Sequence, residues 1–234
     1  MPLRRSSPPR KDERRNMARP VDKSAVPAVT VPRLALYLRK LRELQARGVE
    51  RVSSKDLAQS IDLNAAQIRK DFSYFGEFGT RGVGYEVERL VEEIERCLGL
   101  SRTWNVIIVG AGSLGTALAR YRGFAEQGFK LVAMFDASPR KVGVGYGDGR
   151  TVRDAAELEE FCRANRVDIA IVTVPAHAAQ ATVDRLVGLH PDRRVHAILN
   201  FAPVKVSTPR DVIVRQVDFS SELMFLSFYL DRET

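Results

Sequence analysis

The sequence predicts an α/β chain in two parts: a small helical head with a β-hairpin, then a doubly wound parallel sheet, closed by a C-terminal helix. Three observations carry this reading. Apolar residues recur at helical spacing from Leu34 to Phe75, and glycines crowd the next ten positions, at Gly76, Gly79, Gly82 and Gly84. From Trp104 the texture changes to compact apolar runs such as Val106-Ile107-Ile108-Val109, alternating with helical segments, as in a sheet covered on both faces. The chain then runs through Phe219 to Leu230, apolar at eight of twelve positions and nearly all round a helix.

Composition narrows the class. The 234 residues fit one large domain or two modest ones, and 44% hydrophobic with 28% charged residues is ordinary globular usage. No apolar run reaches the length of a membrane span, and the N-terminus lacks the apolar core of a secretory signal. Cys97 and Cys162 stand far apart with no C-x-x-C pair, which excludes a disulfide scaffold and a cysteine-based zinc site and points to the reducing cytoplasm. The net charge of +8 is uneven: the first 85 residues hold 18 of the 37 basic but only 9 of the 29 acidic side chains. A polyanionic partner is therefore expected at the head. Residues 1–29 mix Arg, Ser and Pro without periodicity and read as a disordered basic arm.

Residues 30–99 form the head. Leu34, Leu38, Leu41 and Gln45, flanked by Tyr37 and Leu44, mark a first helix that Gly48 ends. Ser53 to Asp56 opens a second helix, Asp62-Leu63 turns the chain, and Asn64 with Gln67 is a capping signature for a third, running to about Tyr74. On the third helix Ile68, Phe72 and Phe75 share one face. Gln67, Arg69, Lys70, Ser73 and Tyr74 lie away from it, side chains able to reach base edges and phosphates. Gly76 to Tyr85 suits a hairpin wing with Arg81 near its tip, placed to enter a minor groove. A helix from about Glu86 to Leu98 closes a winged helix-turn-helix.

Residues 100–217 form the body. Strands are expected at 105–109, 131–136, 169–174, 195–200 and 212–217, with helices near 154–165 and 176–189. Gly110-Ala111-Gly112-Ser113-Leu114-Gly115 follows the first strand and opens a helix, and Asp136 stands 26 residues after Gly110. That context makes the fingerprint a Rossmann-like dinucleotide site. Gly110 serves the tight turn, Gly112 the approach of a pyrophosphate to the helix N-terminus, and Gly115 close helix–strand packing. Asp136 should take the adenosine ribose hydroxyls and so favour NAD(H), although Lys141 beside it is a cation able to meet a phosphate. The loops Thr173-Val174-Pro175 and Asn200-Phe201-Ala202-Pro203 end strands where ligands bind; Asn200 would hold a carboxamide and Phe201 wall the ring. Of the three histidines only His177 lies near a ligand loop and no acid follows it, Tyr121 has no Lys four residues on, and too few residues remain for a substrate domain, so no catalytic or metal-ligating residue is assigned. Residues 218–234 read as a dimerisation helix, because a helix apolar on all sides buries itself most easily in a second subunit, with exchange of the helices an option.

The strings Ile68-Arg69-Lys70-Asp71-Phe72-Ser73-Tyr74-Phe75-Gly76 and Gly79-Thr80-Arg81-Gly82-Val83-Gly84-Tyr85 closely resemble the bacterial Rex family of redox-sensing repressors. So do the glycine loop, Leu199 to Pro203, and the ends Val217-Asp218-Phe219 and Phe228-Tyr229-Leu230. The resemblance covers about residues 30–231 and departs at the long arm. It implies a homodimer that binds a palindromic, AT-rich operator and leaves it when NADH binds, NAD+ binding more weakly. It implies groove and backbone contacts from Gln67, Arg69, Lys70, Ser73, Tyr74, Arg81 and Gly82, and a switch trio of Arg39, Tyr121 and Asp218. Phe219 from the partner subunit would cover the nicotinamide. An NAD-dependent oxidoreductase with a fused DNA-binding head is the alternative, and a coenzyme A or nucleotide sensor a third class.

Overall fold

A computed structural model describes residues 26–74, 79–80, 84–192 and 195–230. The chain divides into two compact units, Met1–Ser101 and Arg102–Thr234. Most of the expected arm, together with Phe75, Arg81 and Gly82, lies outside the described residues.

In the first unit, helices α1 (Thr30–Ala46), α2 (Ser54–Ser60), α3 (Ala65–Ser73) and α4 (Val87–Leu98) surround one core. The caps follow the sequence. Ser53 Oγ accepts from the Asp56 amide at 3.1 Å and Asn64 Oδ1 from the Ala66 amide at 2.7 Å, each satisfying an amide that the first turn leaves without a partner. Asp62 turns the chain between α2 and α3 with a left-handed φ of 52°. Strands β1 (Arg51–Val52), β2 (Gly79–Thr80) and β3 (Gly84–Glu86) form an antiparallel sheet in the order β1-β3-β2. Gly84 cannot be replaced there: its φ is 83°, and a Cβ would lie 2.8 Å from the Val52 carbonyl oxygen.

The core holds Leu34, Leu38, Leu41, Ile68, Phe72, Leu90 and Ile94, each burial stabilising by about 1.5–3 kcal/mol. Tyr37, read from sequence as a flank, is fully buried and meets Phe72 edge-on at 5.5 Å. Gln45, assigned to the stripe, is exposed. Into this core α3 drives a charged residue. Asp71 is fully buried, and four donors converge on its carboxylate: Arg33 Nε on Oδ2 at 2.6 Å, Arg33 Nη2 on Oδ1 at 2.7 Å, the Tyr37 hydroxyl on Oδ2 at 2.7 Å and Gln67 Nε2 on Oδ1 at 2.8 Å. Burial alone would raise the carboxyl, but the donors from Arg33, Tyr37 and Gln67 hold it below its ordinary value. The clasp ties α3 to α1.

In the second unit, β4 (Trp104–Val109), β5 (Phe129–Asp136), β8 (Arg153–Asp154), β9 (Ile169–Val172), β10 (Ala197–Asn200) and β11 (Ile213–Gln216) form a parallel sheet in the order β11-β10-β9-β4-β5-β8. The order runs outward in both directions from β4 and β9, so the chain reverses direction across the sheet between them. Helix α5 (Ser113–Ala119) follows β4, α6 (Gly123–Glu126) precedes β5, and α7 (Leu158–Ala164) and α8 (Ala176–Val187) flank β9 in sequence. The hairpin of β6 (Gly145–Gly147) and β7 (Arg150–Thr151), together with β8 and α6, was not expected from sequence. The last described element is α9 (Phe219–Leu230), none of whose residues is buried. No helix among the described residues is long and apolar enough to cross a membrane.

Breaking a buried ion pair on one side strands the other charge, which costs about 3–5 kcal/mol. Asp71→Ala is therefore expected to destabilise the first unit by that amount in urea unfolding, and an unchanged midpoint would contradict the clasp. The carboxyl lies below its unfolded value of about 3.9, so its stabilisation is complete above that pH and is lost as the pH falls through the folded value. The stability gap between wild type and Asp71→Asn should accordingly narrow below about pH 4.

Candidate functional site

The glycine loop sits where the sheet order reverses, at the carboxyl ends of β4 and β9, the place where open α/β sheets bind ligands. Gly110 turns with a φ of 109°, and a Cβ there would lie 2.7 Å from the Thr173 carbonyl oxygen. Thr173 Oγ1 donates to the Gly110 oxygen at 2.7 Å, locking the two loops together. A Cβ on Gly115 would lie 1.9 Å from the Gly110 oxygen, so α5 can pack on β4 only with glycine there. Gly112 is different. It has an extended backbone, φ −76° and ψ −173°, and a Cβ would meet nothing within 4 Å. Its glycine serves no packing need of the chain and leaves open space beside the first amides of α5, where an anion is favoured.

Asp136 ends β5 beside this loop. Its Oδ2 accepts from the Ala111 amide at 2.7 Å and from Lys141 Nζ at 3.0 Å, and its Oδ1 from the Ser138 amide at 2.8 Å. Burial would raise its carboxyl; the Ser138, Lys141 and Ala111 donors hold it below the ordinary range, so it stands ready as an anionic acceptor. Gly110, Ala111, Gly112, Ser113, Leu114, Gly115, Thr173, Asp136 and Lys141 thus come together. Val174 is half-buried and Pro175 is exposed at the N-cap of α8.

Two of the expected contacts are buried. Asn200 is fully buried: its Nδ2 donates to the Val204 oxygen at 2.9 Å and to Gln216 Oε1 at 2.7 Å, while Oδ1 accepts from the Ala202 amide at 3.0 Å. Both hydrogens of its amide are spent on folding the loop, which leaves only the second lone pair of Oδ1 for a carboxamide. Ala202 is buried in the core behind it. Phe201 remains half-buried, its ring 5.8 Å from Phe219 of the same chain.

On α3, Arg69, Lys70 and Ser73 are exposed as expected. Arg69 Nη1 donates to Ser54 Oγ at 3.0 Å, and the Ser73 hydroxyl to the Lys70 carbonyl at 2.7 Å. Gln67 departs from expectation by turning to Asp71 rather than back to Asn64, and Tyr74 packs in part against the core. Asp71 itself carried no role in the sequence reading. Of the expected switch trio, Arg39 is exposed on α1, and Tyr121 is exposed with its ring 5.1 Å from Phe124. Asp218 accepts from the Ser220 amide and the Ser221 hydroxyl, both at 2.9 Å, and so caps α9. Among the described residues no cluster of three or more His, Cys, Asp or Glu could hold a metal ion.

The family described as "Putative DNA-binding protein N-terminus" matches residues 25–73, and the one described as "CoA binding domain" matches residues 101–204. The redox-sensing transcriptional repressor Rex of Chloroflexus aurantiacus is 46% identical over 207 residues, 88% of this chain and 95% of its own. That of Streptomyces coelicolor is 48% identical over 216 residues, 92% of this chain and 82% of its own. Among solved structures, RSP in complex with beta-NAD+ and operator DNA is 40% identical, with a TM-score of 0.85 over 90% of this chain and 95% of that one. RSP in complex with beta-NADH is 39% identical, with a TM-score of 0.79 over 90% of this chain and 97% of that one.

The two inner glycines should respond differently to one added methyl group. Gly115→Ala is expected to lower the thermal midpoint of the second unit, whereas Gly112→Ala should leave it within about a degree, since the new Cβ meets open space. A large loss from Gly112→Ala would show that this glycine serves packing after all.

Proposed function

This chain belongs to the Rex family of redox-sensing transcriptional repressors, and we propose that it binds operator DNA as a dimer and releases it when NADH occupies the glycine loop. The observation that carries this reading is Gly112. Its fold-neutral open side, next to an anionic Asp136, suits a pyrophosphate followed by an adenosine ribose and has no other evident use. The residues present therefore fit a dinucleotide, with Ala111 to Leu114 facing the phosphates and Asp136 the ribose. The dinucleotide acts as a signal and is not turned over. The family described as a CoA binding domain makes coenzyme A the second ligand to test; its phosphorylated ribose would face the Asp136 carboxylate.

The proposed DNA face comprises Arg69, Lys70 and Ser73 on α3, with Gln67 and Tyr74 at its margins and Arg81 and Gly82 on the wing. Cations there contribute sequence-independent affinity through phosphate neutralisation. Arg39, Tyr121 and Asp218 are proposed as the switch. Asp218 already spends its oxygens on α9, so any new partner must displace the Ser220 and Ser221 bonds, an exchange worth about 1–3 kcal/mol. A protein that acts on DNA in this way is expected in the cytoplasm.

Dimerisation is supported by two surfaces of the second unit. Helix α9 leaves Leu223, Met224, Phe225, Leu226, Phe228 and Tyr229 at least half exposed. An apolar groove of about 290 Å³ lies over the sheet, lined by residues that include Val106, Ile108, Ile171, Leu199 and Ile213. A second copy's α9, and with it Phe219, is the occupant we propose, since the helix and the groove are otherwise both apolar surfaces left in water.

On a palindromic duplex at fixed salt, fluorescence anisotropy should fall on addition of NADH and be less affected by NAD+ or coenzyme A. No response to micromolar NADH would refute the sensing role. Asp136→Ala should weaken NADH binding by about 1–3 kcal/mol, through loss of charge-assisted hydrogen bonds. For assembly, Leu226→Asp is expected to yield a monomer in sedimentation velocity and to lose operator affinity with it; a variant that remains dimeric would place the interface elsewhere.

A further inference from the structure

The first 25 residues hold eight basic and three acidic side chains, and six of the cations form pairs, Arg4-Arg5, Arg10-Lys11 and Arg14-Arg15, with Asp12 and Glu13 between the last two pairs. Neither the glycine loop nor the exposed face of α3 accounts for them. The residues that follow show where this arm leaves the head. Val26 packs against the core, and the Pro27 carbonyl accepts from the Thr30 amide at 2.9 Å. Thr30 is fully buried, and its hydroxyl oxygen accepts from Arg33 Nη2 at 3.3 Å. The same nitrogen donates to Asp71 of α3 at 2.7 Å. The start of α1 is therefore tied to α3, and the arm leaves the head beside the helix that carries Arg69, Lys70 and Ser73.

This connection brings two sets of cations to one side of the head. Without a polyanion they repel one another, and a duplex relieves both sets at once, because DNA carries one negative charge per about 1.7 Å of its axis. By covalent geometry 25 residues span at most about 80–90 Å, against about 35 Å for one duplex turn. The arm is thus long enough to meet phosphates outside the half-site that α3 faces. Charge is the property that Arg and Lys share in the three pairs, and charge alone carries no sequence information. We propose that residues 1–25 are a second DNA-binding element, whose Arg4, Arg5, Arg10, Lys11, Arg14 and Arg15 neutralise phosphates of the duplex flanking each half-site and add affinity without sequence preference. This rests on the DNA-binding role proposed above. The competing site is on the head itself, where Glu50, Glu86 and Glu88 line one cavity and form no ion pair among the described residues. An arm held there would be kept from DNA.

The test uses the full chain and a variant of the same length with Arg4→Gln, Arg5→Gln, Arg10→Gln, Lys11→Gln, Arg14→Gln and Arg15→Gln. A palindrome enriched by the wild type from a randomised library is prepared in two forms, one with about ten further base pairs on each side and one trimmed to the palindrome. Anisotropy is then followed against salt. On the flanked duplex the variant is expected to bind at least tenfold more weakly at about 50 mM salt, with the gap closed by about 200 mM. Its slope of log affinity against log salt should be smaller by about 1.8 or more, the loss of one phosphate contact in each protomer of a dimer. Trimming should weaken the wild type to the level of the variant and leave the variant unchanged, and both chains should enrich the same motif. Equal affinity and slope for the two chains overturn the proposal, as does a gap of the same size on the trimmed duplex. Tighter binding by the variant also overturns it and places the arm on the head's own acids. A wild type that enriches no sequence overturns the DNA-binding reading, and this inference with it.

Discussion

The first unit depends on one buried carboxylate. Asp71 lies on α3 among apolar side chains, and a charge so placed is tolerated only because Arg33 and Tyr37 of α1, with Gln67, supply four donors to its two oxygens. Hydrophobic contacts between α1 and α3 are non-directional and would accept small rotations of one helix on the other. A bidentate guanidinium–carboxylate pair fixes both distance and orientation. The exposed face of α3 carrying Arg69, Lys70 and Ser73 is thus presented at a set angle, which a residue that must meet a base edge within hydrogen-bond reach requires.

The second unit is organised by a steric constraint instead. The Gly110 oxygen comes so near Gly115 that α5 starts close against the end of β4, and Thr173 closes the same gap from β9. These contacts bring the first amides of α5 to the point where the sheet order reverses. Gly112, with no such neighbour, is left as the opening. Asp136 is drawn into the arrangement through the Ala111 amide, so the loop and the carboxylate at the end of β5 are held as one piece. Two glycines are explained by the chain's own packing and one by what lies outside it. That contrast follows the division of labour in the fingerprint, in which one glycine serves the turn, one helix–strand packing and one the approach of a phosphate.

Much of this was legible in the sequence because it is local. The caps at Ser53 and Asn64, the turn at Asp62 and the long strands β4 and β5 each depend on a few neighbouring residues. What was not legible depends on distant partners. Asp71 reads as one more charge on an amphipathic helix, and the residues that bury it lie 34 and 38 positions earlier. Gln67 reads as the end of a capping box until that carboxylate is in place to compete for it. Asn200 has the side chain and the strand-end position of a ligand contact, yet Val204 and Gln216 take both hydrogens of its amide. Strands of two or three residues, such as β6 to β8, carry too few positions to show an alternation at all.

The proposal that the dinucleotide is a signal restricts how the sensor can work. A ligand that is not turned over shifts an equilibrium only by its difference in affinity for the two states. The coupling is also reciprocal: if NADH weakens operator binding by some factor, operator must weaken NADH binding by the same factor. A coupling of about 1–3 kcal/mol, the scale of exchanging one charged hydrogen-bond partner, corresponds to a change of about 5- to 150-fold. Asp218 is of the right kind for such an exchange because it is only half-buried and its present partners, Ser220 and Ser221, are neutral groups beside it at the start of its own helix. Asp71 is of the wrong kind, since displacing any of its donors would strand a buried charge. The chain thus keeps one carboxylate that cannot change partners to hold the proposed reading face, and another, proposed to change them, at the start of the helix proposed to join the two subunits.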